Sequence, residues 1–256
     1  LGTSDVNGTY TVTAGAGGDI TNDGALDIEG VATFTAANGQ SIYLNDTSND
    51  FNTTVTFAAV SGSLANVTID DDSAIALPAL NITGNLSVTA GGAVTDNGVL
   101  DIDGETTISA TGSNVTLDNG SHDFSNDVKI TGNTVVLVDT NALVLGTSDV
   151  NGTYTVTAGG HITDDGALDI EGIATISATT SYNVTLDNTS NDFTNDVRVI
   201  GDDVQLVDAN GIVLGTSNVD GTYAVTATAG GDITDEDVLD IEGAATFTAA
   251  NGQSIV

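Results

Sequence analysis

The chain has 256 residues, of which 36 are acidic against one lysine and one arginine, for a formal charge of −34. That balance excludes a nucleic-acid binder or a ligand of anionic lipid, because neutralising phosphates needs a basic patch. Cysteine is absent, so order must come from stacking and hydrogen bonds rather than disulfides.

In chain order, the sequence opens on LGTSDVNGTYTVTAGAGGDITNDGALDIEG, residues 1–30, and returns to it at 145–172 and 214–243. A diverged copy, LSVTAGGAVTDNGVLDIDG, occupies 86–104. The leucine of the LDIEG-type motif falls at Leu26, Leu100, Leu168 and Leu239, in steps of 74, 68 and 71 residues. The phenylalanine of the NDF-type motif falls at Phe51, Phe124 and Phe193, in steps of 73 and 69. The chain therefore reads as one continuous repeat array over 1–256, a segment of a longer protein. Its units run roughly 1–85, 86–144, 145–213 and 214–256. Residues 58–85, around VSGSLANVTIDDDSAIALPALNITGN, form a diverged coil within the first unit.

Inside each unit the signal is strands. From Leu86 to Thr153, Leu86/Val88, Leu100/Ile102, Val115/Leu117, Val128/Ile130, Val135/Leu137 and Leu143/Leu145 alternate with polar neighbours. Gly, Asn and Asp clusters punctuate them as turns, with φ > 0 as the expected reason for the glycines. No helical periodicity and no stretch of 18 apolar residues occurs, so neither helix nor membrane insertion is expected. Short strands with a long internal period predict an all-β β-solenoid. Coils of about 20–24 residues would give about three coils per ~71-residue repeat, in a rod on the order of 50–60 Å long. Val12, Leu26, Ile28 and Phe34 are expected inward, as are Val156, Leu168, Ile170 and Ile176. Thr11, Thr13, Asp27 and Thr35 are expected to face solvent, and the one proline, Pro78, to lie in a loop or at a strand edge.

The strings TVTAGGHITDDGALDIEG, NVTLDNTSNDFTNDV and VVLVDTNALVLG resemble the repeats of filamentous-haemagglutinin-type exoproteins. They are also similar to the large autotransporter-like adhesins of Gram-negative bacteria. The resemblance implies a right-handed parallel β-helix, secreted to the cell surface and acting as an adhesin stalk or fibre.

For chemistry, no enzyme is expected. Lys129 and Arg198 occupy equivalent places in NDVKITG and NDVRVIG, and a repeated cation reads as structural or solvated. His122 and His161 read as surface turn residues, with Asn191 and with Asp19 and Asp232 in the equivalent places. Paired carboxylates recur along the array, whereas an enzyme has one site. TxT strings such as Thr11-Val12-Thr13 come too seldom to build an ice-binding face, and read as strand propensity. No cofactor is expected beyond weakly bound Ca²⁺, for which Asp70, Asp71, Asp72, Asp235, Glu236 and Asp237 are the candidate ligands. The bland reading of these acids is a solvated surface. Expected partners are identical chains, associating laterally or end to end, or surface receptors met through segments outside this sequence. A self-assembling extracellular filament is the alternative to a stalk, and a carbohydrate-active β-helix enzyme a third reading.

Overall fold

The computed structural model describes residues 1–15 and 17–256. Among them the chain forms 35 short strands and no helix. The strands stack in parallel as a β-solenoid, in two compact units, Leu1–Asn126 and Asp127–Val256. Backbone N–H and C=O groups bond from coil to coil, as in Tyr10 N to Val31 O at 2.9 Å and Tyr154 N to Ile173 O at 2.9 Å.

In the first unit, Tyr10–Thr13, Ala32–Ala36 and Val55–Ala59 stack residue on residue. Val12 stands under Phe34, and Phe34 under Phe57. Phe34 stacks on Phe57 at 6.2 Å and meets the edge of Phe51 at 6.0 Å. Leu26, Ile28 and Phe34 are buried as alternation requires, while Val12, in the outermost coil, is only half-covered. The diverged stretch keeps the pattern, with Val67, Ile69, Ile75, Leu77, Leu80 and Ile82 all inward. Pro78 lies between the strands Ile75–Leu77 and Leu80–Ile82, outside both ladders.

The second unit shows how the repeat maps onto coils. Tyr154 lies under Ala174, Ala174 under Val197 and Val197 under Leu214, which is three coils. Tyr223, the counterpart of Tyr154, lies instead over Val204, one strand further round. The cause is a strand count. Tyr223–Ala227 is the tenth strand after Tyr154–Ala158, and a coil uses three. The extra strand enters where Val197–Gly201 carries two short strands, Leu214 pairing with Val197 and Val219 with Gly201. Val128–Gly132 does the same beneath Leu145 and Val150. The expectation of about three coils per repeat thus gains a remainder of one strand, and equivalent side chains move to the next face of the solenoid. TxT strings of successive repeats therefore do not share a face.

The motif glycines have a different cause from the one expected. No φ > 0 occurs at Gly30, Gly104, Gly172 or Gly243. A Cβ there would lie within 2.1–2.5 Å of backbone atoms of Gly8, Gly84, Gly152 and Gly221, one coil away. Glycine stands on glycine because two backbones meet at that corner. At Gly39 and Gly112 the left-handed conformation does apply, with φ of 71° and 74°.

Gly172→Ala is therefore expected to cost about 1–3 kcal/mol or more, as overpacking against immovable backbone does. Gly120→Ala, with nothing within 4 Å of its Cβ, should change stability by less than about 0.5 kcal/mol. Urea midpoints of the two variants check this.

Candidate functional site

Strict alternation places polar side chains inside the solenoid, and these are its chemically distinctive groups. Two residues before each inward phenylalanine of the NDF-type strand stands an inward polar residue: Asn49, His122 or Asn191, each 0% exposed. Each accepts the N–H of the leucine in the coil below. Leu26 N reaches Asn49 Oδ1 at 3.0 Å, Leu100 N reaches His122 Nδ1 at 2.9 Å, and Leu168 N reaches Asn191 Oδ1 at 2.9 Å. His122 is therefore not a surface turn residue. Its ring substitutes for an asparagine amide as a buried acceptor.

Each of these groups faces a second polar side chain. Asn22 Nδ2 donates to Asn49 Oδ1 at 2.8 Å, and Asn191 Nδ2 donates to Asp164 Oδ2 at 2.7 Å. His122 Nε2 faces Asp96 Oδ2 at 3.5 Å. One corner is thus built three ways: amide on amide, imidazole on carboxylate and amide on carboxylate. Because Nδ1 of His122 accepts a backbone N–H, the proton of the neutral ring sits on Nε2, toward Asp96. His161 lies on the surface as expected, and its Nδ1 accepts Asn183 N at 3.0 Å. Asp19 and Asp232 accept Ser41 N at 2.8 Å and Ser254 N at 2.7 Å in the same way.

A second inward set closes the strands Val67–Asp71, Val135–Asp139 and Val204–Asp208. Asp71, Asp139 and Asp208 are all at most 3% exposed, so these acids do not face water. Each folds back on the backbone two residues on, to Ser73 N at 2.9 Å, Asn141 N at 2.7 Å and Asn210 N at 2.6 Å. Asp208 also takes Phe193 N on its other oxygen at 2.8 Å. Burial pushes Asp208 up to about 6 and moves Asp71 and Asp164 the same way, while the hydrogen bonds only partly oppose it.

Of the calcium candidates, only Asp71 and Asp72 stay together. Asp70 points away from Asp71 by strand parity, and the Asp235, Glu236, Asp237 run is exposed. Among the described residues, three carboxylates come within 4.8 Å of one another at Asp50, Asp71 and Asp72. Asp50 comes from the coil below and was missed, because it is distant in sequence. The LDI face explains its position, since Asp5, Asp27 and Asp50 stack coil on coil there.

The two cations are structural. Lys129 Nζ lies 3.1 Å from Asp127, and Arg198 lies 3.1 Å from Asp196. A Cβ on Gly146 or Gly215 would lie 2.6 or 2.7 Å from the Cγ of Lys129 or Arg198. Their stems thus run beneath the glycine where the long strand divides. A cavity of about 190 Å³ is lined by Leu214, Ile233, Phe247 and Ile255 among others, and is uncovered core of the last coil. No helix is long and apolar enough to cross a membrane among the described residues.

These features define a β-solenoid repeat protein in which each corner is rebuilt, with variations, from unit to unit. The chain belongs to the family described as repeats of unknown function (DUF5649), which matches residues 1–58, 64–131, 132–200 and 201–256. No curated protein and no solved structure matches it.

The corner histidine sets a pH dependence whose sign is fixed. Burial holds His122 below its ordinary 6.5, against the charges of Asp96 and Asp118. Its contribution to stability is therefore full above pH 6.5 and is lost as pH falls through the folded value. The buried acids act oppositely, their contribution being lost as pH rises through about 6 at Asp208. His122→Asn keeps the acceptor and removes only the first effect. The variant should gain on the parent chain as pH falls from 7 to 5, read as the difference of urea midpoints. A constant difference would contradict the assignment.

Proposed function

We propose that the chain is a structural segment of a large secreted bacterial surface protein, an adhesin stalk or fibre whose work is reach and stiffness. It acts without catalysis, outside the cell, and adhesion itself belongs to other parts of the protein. One observation supports this reading above the rest: each repeat rebuilds the same inward aliphatic rows and coil-to-coil backbone bonds, in an architecture that grows along one axis. The acids contribute solubility, and a surface with one lysine and one arginine offers trypsin two cleavage sites.

A second reading is a self-assembling filament. The sequence ATFTA occurs twice. Ala32–Ala36 is buried at alternate residues beneath Val55–Ala59, while Ala245–Ala249 is largely exposed. The strand's burial depends on a covering coil, which a following repeat of the same chain and a coil from another copy would supply equally.

Small-angle scattering on chains carrying increasing numbers of repeats separates the outcomes. A stalk lengthens by about 16 Å per added repeat at constant cross-section, from the ~4.8 Å rise per coil, and stays monomeric as concentration is raised. A maximum dimension that grows more slowly than this overturns the stalk reading. Mass that rises with concentration at fixed cross-section supports the filament.

A further inference from the structure

We propose that Asp50, Asp71 and Asp72 form a calcium site, one per chain, that ties two successive coils of the first unit together. Asp71 is 3% exposed, and Ser73 N and Oγ occupy its Oδ1 at 2.9 and 3.0 Å. No hydrogen bond of ordinary geometry reaches its buried Oδ2, the Phe51 N–H giving Asp71 only a weak interaction, and Oδ1 of Asp50 is buried without a partner. Both residues offer an oxygen to a group closed by the exposed Asp72, all within 4.8 Å. Buried carboxylate oxygens without donors are costly, and crowding three acids adds repulsion. A hard divalent cation removes both costs, and the opening at Asp72 leaves room for the waters that complete a calcium shell.

The equivalent corner of the second unit is built with protein donors in place of a third carboxylate. There Asp208 Oδ2 takes Phe193 N at 2.8 Å, and Asn210 Nδ2 donates to Asp192 Oδ2 at 3.0 Å. An amide thus serves the acid that stands where Asp50 stands. In the first unit Ser73 replaces Asn210 and turns its hydroxyl onto Asp71, while Asp72 replaces Ala209 and supplies a third carboxylate. The same two substitutions that remove the amide donor add a ligand. Asp50 also ends the column Asp5, Asp27, Asp50, whose repeated charge draws cations to this face. Burial together with the charge of Asp50 pushes Asp71 up, and the donors at Ser73 and Phe51 only partly oppose it. With three protein carboxylates and the remainder water, affinity belongs in the range of about 10⁻⁴–10⁻³ M found for extracellular modules.

Calorimetric titration of the whole chain with CaCl₂ at fixed ionic strength tests the site. The native sequence should bind one ion. Asp72→Asn, at an exposed side chain that the fold does not need, should weaken binding at least tenfold, whereas Asp237→Asn, which removes the same charge elsewhere, should not. The double variant Ala209→Asp with Asn210→Ser should raise the stoichiometry to two. Absence of a saturable site, or equal weakening by Asp72→Asn and Asp237→Asn, would mark diffuse screening and overturn the proposal.

Discussion

Every feature of this molecule follows from one constraint: parallel strands must meet their neighbours one coil away through the backbone itself. A coil that fails to return to the same place leaves N–H and C=O groups without partners, at a cost comparable to a lost hydrogen bond for each. The chain meets the requirement with coils of unequal length, as in the steps from Tyr154 to Ala174 and from Ala174 to Val197. Corners absorb the difference. Where two backbones touch, as at Gly152 and Gly172, only glycine fits. Where a coil lacks a strand partner for the leucine N–H, Asn49, His122 or Asn191 reaches inward to supply an acceptor.

That economy explains why the buried polar groups tolerate chemical change. The leucine N–H needs an acceptor of suitable reach, and amide or imidazole serves equally well. The consequence differs from corner to corner, since a buried imidazole responds to pH and a buried carboxylate to pH and cations. Repetition of the backbone task thus permits local properties to diverge while the stack is preserved.

Much of this was legible in the sequence. Alternation and turn spacing sufficed for the solenoid and for the inward places of Leu26, Ile28 and Phe34. The equivalence of Lys129 with Arg198 pointed to their structural role. The inward acids were legible too, but only under a stricter reading. Asp139 shares the parity of Val135 and Leu137, and Asn191 shares that of Phe193, so alternation alone carries both inside. Preference for acids at the surface competed with parity, and parity won because corner hydrogen bonds satisfied the buried oxygens. The approach of Asp50 to Asp71 was not legible, because it depends on which residue stacks over which. The same holds for the glycine corners, where a turn preference and a backbone contact leave the same letter in the sequence.

The extra strand in each repeat has the widest consequence for function. Tyr223–Ala227 lies in a different sheet from its counterpart Tyr154–Ala158, so a feature that occurs once per unit does not align from one of these repeats to the next. Such a surface suits a spacer better than a flat recognition face. Engineered cysteines test this register directly, in a chain whose sequence contains none. Gln205 and Ala224 are register partners, so Gln205→Cys with Ala224→Cys should oxidise readily to a disulfide, the Cα separation lying within about 4.4–6.8 Å. If the repeat instead closed on whole coils, Ala224 would fall on the face of Thr155, Thr175 and Arg198. That pair would then stay reduced, while Arg198→Cys with Ala224→Cys would cross-link.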